Sequence, residues 1–374
     1  LDLSLSLLKD SDETVLLPIS PLLTSMHLSP PPPPPPRCLS CFTPQSPLQS
    51  KKVRTGANKL ENVLRELLES RGETWTEELR GDLPRSFQRH GDLLLLGERC
   101  FSLPLWKKMG TTLLWSAVAR GLGAKRLAKM SRISRDGFRS PVVTMLVGEH
   151  SWVKHVDNGI SYEFDVTRCM FSAGNITEKL RVAGFDCRGE TVVDLYAGIG
   201  YFTLPYLVHA GASRVHACEW NPDAVQALQK NLEANGVSDR CTVHQGDNRQ
   251  LQLCDIADRV NLGLVPSSED GWPVACRLLN RTAGGILHLH QNVTSSPPGA
   301  IAGAAAAAAR GTSGRRADRE AWRAWADHAA GRIAALLEEV TGARWTTNAR
   351  RVEGVKSYAP RVHHVVLDLE CRPS

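Results

Sequence analysis

The segment Asp194-Leu195-Tyr196-Ala197-Gly198-Ile199-Gly200 is the part of this sequence best suited to cradling a ligand. An apolar run, Thr191 to Leu195, leads into it, and an apolar helix pattern from Tyr201 to about His209 leads out. Glycines at such a junction let the backbone approach a bound molecule, and the first turn of a helix offers N–H groups with no internal partner. A dinucleotide fingerprint would want a third glycine or alanine where Thr203 stands, which argues against NAD. Glu219 ends the next apolar run, where a carboxylate can accept both hydroxyls of a ribose. Gly246-Asp247-Asn248 ends a third, placing a carboxylate and an amide where an adenine ring would lie. Each has a plainer reading: Glu219 as a cap on the helix near Asn221, and Asp247-Asn248 as a turn. With Asp194 before the glycines, three acids stand in register at strand ends, and that favours an adenosyl ligand.

Other chemistry is sparse. After the fourth expected strand comes Leu262-Gly263-Leu264-Val265-Pro266-Ser267-Ser268, with one proline, two hydroxyls and no charged group. General-base chemistry on an exocyclic amine finds no agent there. No Cys or Ser stands with a His in a nucleophile motif. Cys38 and Cys41 form a CxxC, but no second pair or histidine follows at ligand spacing, so no metal site is expected.

The elements that must hold these residues are legible in the pattern. Thr191–Leu195, Val215–Cys218, Cys241–His244, Val260–Val265 and Ile286–His290 read as buried strands, with helices at Tyr201–His209 and Asp223–Asn235. Strand and helix in alternation predict a doubly wound, mostly parallel sheet covered on both faces. Trp322, Trp325, Ala329, Ile333, Leu336, Leu337 and Val340 mark a long amphipathic helix, and Val362–Leu369 a closing buried strand. Upstream, Leu60, Val63, Leu64, Leu67 and Leu68 recur at helical spacing. Leu93–Leu96, Val142–Val147, Trp152–Val156 and Ile160–Val166 read as short strands. The expected organisation is a Pro-rich, disordered stretch over 1–50 and a smaller α+β domain over 51–180. A Rossmann-like catalytic domain follows over 181–374, with a low-complexity loop insertion at 294–318.

The 374 residues carry 45 Lys+Arg against 39 Asp+Glu, a formal net charge of +6 that suits a polyanionic partner. Seven Lys/Arg fall between Arg120 and Arg139 against one acid, Asp136, which reads most simply as a solvated loop face. Ten cysteines are too dilute for a disulfide framework. No run approaches the roughly 20 apolar residues of a membrane span, and the leucine-rich start lacks a basic region. A reduced, cytoplasmic protein is expected.

Acid, glycine loop, acid and acid at successive strand ends resembles the S-adenosylmethionine site of class I methyltransferase folds. Phe171-Ser172-Ala173-Gly174-Asn175-Ile176-Thr177-Glu178-Lys179, Cys218-Glu219-Trp220-Asn221-Pro222 and Gly246-Asp247-Asn248-Arg249 narrow the resemblance. Leu83-Pro84-Arg85, Gly91-Asp92 and Val355-Lys356-Ser357-Tyr358-Ala359-Pro360 extend it outward. Together they resemble the family of tRNA guanine-37 N1-methyltransferases and the wybutosine-synthesizing aminocarboxypropyltransferase, and they stand closer to the latter. The resemblance covers about residues 60 to 374, the insertion excepted. It implies S-adenosylmethionine as co-substrate and tRNA-Phe as partner, the anticodon loop being gripped at position 37. It implies cofactor contacts from Ser172, Lys179, Asp194, Gly198, Glu219, Asp247 and Asn248, without a metal. Ser172 and Lys179, seven apart, would share one face if their segment is a single helix. It also recasts the basic stretch, with Lys125 and Arg126, as a phosphate track, and Lys356 and Arg361 as further phosphate contacts. Two alternatives stay open: a guanine-37 N1-methyltransferase, and a tRNA-binding scaffold without catalysis.

Overall fold

The computed structural model describes residues 8–9, 15–16, 49–134, 137–295 and 310–374. Within a first unit, Leu1–Gln45, β1 (Leu8–Lys9) pairs antiparallel with β2 (Val15–Leu16). Of the rest of the stretch expected to be disordered, Gln49 and Ser50 begin a helix, and the other residues, the CxxC included, lie outside the described residues.

The second unit, Ser46–Ser374, holds everything else. It opens with α1 (Gln49–Glu69), whose Leu60, Leu64 and Leu68 are buried at the spacing of one helical face, and the short α2 (Glu77–Gly81). A four-stranded sheet follows, ordered β3 (Phe87–His90), β4 (Leu93–Gly97), β5 (Arg126–Met130), β6 (Val143–Val147). Helices α3 (Pro104–Lys108) and α4 (Thr111–Leu122) connect β4 to β5. The run Leu93–Leu96 is wholly buried because both faces of its strand are covered: Leu94 and Leu96 pack in the cluster of α1 and α4, Leu93 and Leu95 in the next cluster. A hairpin, β7 (Trp152–Asp157) and β8 (Ile160–Asp165), leads to α5 (Ile176–Ala183).

The larger sheet has seven strands: β9 (Thr191–Asp194), β10 (Arg214–Glu219), β11 (Cys241–Gln245), β12 (Arg259–Leu262), β13 (Gly285–Thr294), β14 (Trp345–Ala359) and β15 (Val362–Pro373). Their spatial order is β11-β10-β9-β12-β13-β15-β14. The first five are parallel and the last two join antiparallel. Helices α6 (Thr203–Val208) and α7 (Pro222–Ala234) pack on one face with α5, and α8 (Trp272–Leu278) and α9 (Arg310–Thr341) on the other. The chain winds outward from β9 to β11, then resumes at β12 on the other side of β9. That reversal opens a crevice at the carboxyl ends of β9 and β12, where ligands bind in such sheets.

Three expectations change. The stretch 294–318 is not a loop throughout, since α9 already begins at Arg310. Arg126 and Lys129 belong to β5 rather than to a solvated loop. The expected strand Val260–Val265 ends at Leu262, and the residues after it turn toward the crevice.

Candidate active site

A cavity of about 660 Å³ opens at that crevice, between the catalytic sheet, β3 and the loop after β5. The glycine loop forms its floor. Gly198 has φ +56°, and a Cβ there would fall 2.6 Å from the Tyr201 ring, so glycine is required for both conformation and room. Tyr201 is fixed in turn by donating its hydroxyl to the Met170 carbonyl.

Glu219 lies in the cavity wall. Its Oε2 accepts the Gly198 N–H at 2.8 Å and its Oε1 the Asn221 N–H at 2.9 Å. Each oxygen keeps a lone pair for a further donor. Burial raises its pKa, and the backbone donors oppose that rise. The plainer reading fails at this residue, because Asn221 is the cap of α7, its Oδ1 accepting the Asp223 N–H at 3.0 Å. Asp247 also lines the cavity, with its carboxylate held by Arg249 at 2.6–2.9 Å and its pKa lowered by those bonds. Asn248 donates to the Leu195 carbonyl at 2.8 Å, fastening this turn to the glycine loop.

Asp194 does not reach the cavity. It is completely buried, and its carboxylate accepts from Thr203 Oγ1 at 2.8 Å and Asn261 Nδ2 at 3.0 Å. Burial pushes its pKa up while these donors oppose the shift. Thr203 therefore stands where a dinucleotide loop would have glycine because its hydroxyl ties helix α6 to the acid. Asp194 shapes the loop from behind.

Ser172 and Lys179 separate. Ser172, with Gly174 and Asn175, lines the cavity from a 3₁₀ turn over Ala173–Asn175, and α5 begins only at Ile176. The single helical face expected of the pair is therefore broken. Lys179 is buried and pairs with Asp157, its ammonium 5.2 Å from the Tyr162 ring centre and 5.4 Å from that of Phe171. It supports the wall behind Phe171 and does not line the cavity.

Sequence reasoning assigned no role to several lining residues. Trp220 and Phe138 are both 46% exposed and meet edge to face with centroids 5.7 Å apart. The signal for Trp220 was a large aromatic next to the expected ribose acid. Arg139 donates to the Val265 carbonyl at 2.8 Å, which ties the loop after β5 to the segment after β12. Gly263, Leu264 and Val265 line the cavity, while Ser268 donates to the His290 carbonyl and Ser267 accepts the Glu269 N–H. The two hydroxyls of that segment thus serve backbone groups, one on β13 and one in the turn that follows.

The basic stretch divides similarly. Arg126 bonds Asp92 at 2.5 and 3.0 Å and the carbonyls of His150 and Trp152 at 2.7 Å each, so it holds β5 to the next hairpin. Lys129 donates to the Cys100 carbonyl at 2.9 Å. Arg120, Lys125 and Arg132 stay exposed, and Arg132 stands at the cavity wall. Arg135 lies outside the described residues. No helix among the described residues is long and apolar enough to cross a membrane.

Two family models match this chain: the TYW2 N-terminal domain over residues 64–151 and the TRM5/TYW2 methyltransferase domain over residues 153–298. The tRNA wybutosine-synthesizing protein 2 homolog of Danio rerio is 60% identical over 335 residues, covering 88% of this chain and 82% of the relative. The Homo sapiens homolog is 55% identical over 353 residues, covering 87% and 79%. Among solved structures, Pyrococcus horikoshii TYW2 in complex with MeSAdo superposes with a TM-score of 0.61 at 29% identity, over 84% of this chain and all of that one.

Proposed function

The chain belongs to the tRNA wybutosine-synthesizing protein 2 family, and on that premise we propose how its cavity transfers the 3-amino-3-carboxypropyl group of S-adenosylmethionine to C7 of 4-demethylwyosine at position 37 of tRNA-Phe. S-adenosylmethionine would supply a sulfonium whose bond to the arm breaks as the arm joins C7 of the base, the electron pair returning to sulfur in methylthioadenosine and the proton on C7 being lost to solvent. The observation that carries the reading is Glu219: a half-buried carboxylate in the wall, oriented by two backbone N–H groups and aimed where a ribose diol can donate to it.

The remaining roles follow the order of strand ends. Asp247, at the end of β11, and the Trp220 face take the adenine end, and Gly198 gives the backbone room beside the sulfonium. Ser172, from the 3₁₀ turn, faces the arm. Asn248 and Asp194 hold the loops that make these contacts, and Lys179 holds the wall behind Phe171. Which of three carbons on a sulfonium reacts depends on which is held in line with the nucleophile, so orientation is the main task of these residues. The uncharged Gly263–Val265 segment suits an electron-rich acceptor carbon that needs placement more than a strong base.

The partner is tRNA. A base in an anticodon loop is accessible without opening a duplex and has only to be splayed into the cavity. Residues 51–180 serve as the tRNA-facing domain, with Arg120, Lys125 and Arg132 meeting phosphates. The eight free cysteines among the described residues suit a reducing compartment, and we place the activity in the cytoplasm.

The test uses S-adenosylmethionine labelled separately on the methyl and on the carboxyl carbon, incubated with precursor tRNA-Phe. Carboxyl label in the tRNA is the expected result, with methyl label left in methylthioadenosine. Methyl label in the tRNA would establish the guanine-37 type of chemistry instead.

A further inference from the structure

Helix α9 changes character along its length. Its later turns bury Ala326, Ala329, Ile333 and Leu337 against the sheet. Its earlier turns carry Arg315, Arg316, Arg319 and Arg323, all of them exposed. Arg315, Arg319 and Arg323 recur every four residues, so they follow one another along one side of the helix over roughly 12 Å. A shallow groove of about 480 Å³ runs among the four arginines and Glu320. Arg316 pairs with Glu320 at 2.9 Å, an exposed pair of little worth. The other three have no acidic partner among the described residues. Asp318 is turned away from them, accepting from the Ser295 hydroxyl and lying 3.8 Å from His363 Nδ1.

This part of α9 stands at the end of the sheet where the cavity opens. Asp318 meets Ser295 just beyond the carboxyl end of β13, and Trp322 lies edge to face on His363 of β15 with ring centres 5.5 Å apart. A Cβ at Gly354 of β14 would fall 2.6 Å from the Trp322 ring. Two residues farther along the same strand, Lys356 lines the cavity. β14 therefore runs from the arginine-bearing turns to the cavity wall.

Arginine presents a planar fork that bonds phosphate oxygens in pairs, and it stays charged throughout the physiological range. A row of such forks on one helix suits a sugar–phosphate backbone. A membrane surface would want apolar side chains beside the cations, whereas the exposed positions between these arginines hold Glu320 and Ala324. Neither matched family domain, 64–151 or 153–298, includes this ridge.

We propose that Arg315, Arg319 and Arg323 form a second phosphate-binding ridge, through which the catalytic domain itself holds the tRNA backbone beside the cavity. Such contacts position a nucleic acid without reading its sequence. The proposal rests on the tRNA reading given above and deepens it, adding a grip that is separate from the cations of residues 51–180.

The experiment measures binding of full-length protein to tRNA-Phe from about 50 to about 200 mM salt, the range over which phosphate contacts are counted by slope. Replacing Arg315, Arg319 and Arg323 together by alanine should reduce the slope of log affinity against log salt by about 2 to 3. The arginine-to-lysine triple variant should keep most of that slope. Calorimetry should find methylthioadenosine affinity unchanged within about twofold in both, which shows that the fold and the adenosyl site stand. Arg332→Ala with Arg344→Ala removes two exposed arginines from the other end of α9 and should leave the slope as it was. A slope unchanged in the alanine triple variant overturns the proposal. So does an equal loss per charge in the Arg332/Arg344 variant, since the effect would then be one of net charge. Binding of wild type to phosphatidylserine vesicles that the triple variant loses, with tRNA binding intact, would give the ridge to a membrane instead. Failure of wild type to bind tRNA-Phe at all would sink the tRNA reading itself, a result distinct from these.

Discussion

Replacing Glu219 by glutamine changes one oxygen into an amide nitrogen and little else in shape. In the native wall, Oε2 takes the Gly198 N–H and Oε1 the Asn221 N–H. Glutamine can satisfy only one of these donors; the other faces an NH₂ group and goes unpaired. A buried donor left unsatisfied costs about 1–3 kcal/mol of stability. The ligand loses as well: a ribose hydroxyl that would donate to a carboxylate meets at best a neutral amide. Hydrogen bonds to charged groups are worth about 1.5–3 kcal/mol against about 0.5–1.5 for neutral ones. Losing one and weakening the other lowers affinity by roughly 10- to 200-fold. Methylthioadenosine is the right probe, since it keeps the ribose and lacks the arm. Calorimetry gives the affinity, and urea denaturation shows that the fold survives. A folded Glu219→Gln protein that binds methylthioadenosine within threefold of wild type would refute the ribose assignment, and with it the order of the whole cavity.

Four further outcomes are expected. Gly198→Ala puts a methyl against the Tyr201 ring at positive φ, and calorimetry should find methylthioadenosine binding abolished or nearly so. Arg126→Ala should lower stability by about 2 kcal/mol in urea denaturation without changing the salt slope of tRNA binding, because Arg126 serves Asp92 and two carbonyls. Lys125→Ala with Arg132→Ala should do the reverse, reducing that slope by about 1 to 2. Finally, burial holds His90 and His364 neutral, with pKa values lowered to about 4. The unfolded chain binds those protons near 6.5, so the stabilisation is complete above that pH and is lost as pH falls from 6.5 toward 4. For His364 the loss is on the order of 3 kcal/mol. Denaturation midpoints should slope upward with pH across that window, less steeply in His364→Phe; a flat profile would contradict the assignment.

Much of the catalytic half was legible because parallel strands covered on both faces read as unbroken apolar runs, and the turns after them carry the chemistry. Edges were harder to read. β14, with Arg350, Arg351, Glu353 and Lys356 exposed or half exposed, has little alternation and is a strand only through its pairing with β15. The start of α9 is written in arginine, glycine, serine and threonine, which reads as low complexity although arginine is a strong helix former. In the site, residue type and strand-end position singled out Glu219, Gly198 and Asp247, and all three line the cavity. Facing could not be read. Asp194 carries the right charge at the right place yet turns into the core toward Thr203 and Asn261, partners that lie 9 and 67 residues away. The spacing of Ser172 and Lys179 presupposed one helix, and the 3₁₀ turn between them sends one into the cavity and the other toward Asp157.

That last separation bears on how one scaffold supports two chemistries. Methyl transfer and arm transfer use the same sulfonium, so a shared adenosyl site cannot choose between them; in the reading proposed above, Glu219, Gly198 and Asp247, which all line the cavity, hold the part common to both. The choice must lie where the two reactions differ, at the far end of the arm and at the base. In this chain the cavity wall away from Glu219 and Asp247 includes Ser172 and Gly174 from the turn before α5, Lys356 and Tyr358 from β14, and the uncharged Gly263–Val265 segment, and the proposed reading puts that end there. These come from three separate stretches of sequence, one of them the edge strand that joins the parallel sheet through β15. The adenosyl floor is therefore set by the doubly wound core, and the identity of the transferred carbon by elements packed around it. Changes at Ser172 should alter which ligands are preferred without loosening methylthioadenosine, whereas changes at Glu219 should weaken every adenosyl ligand together.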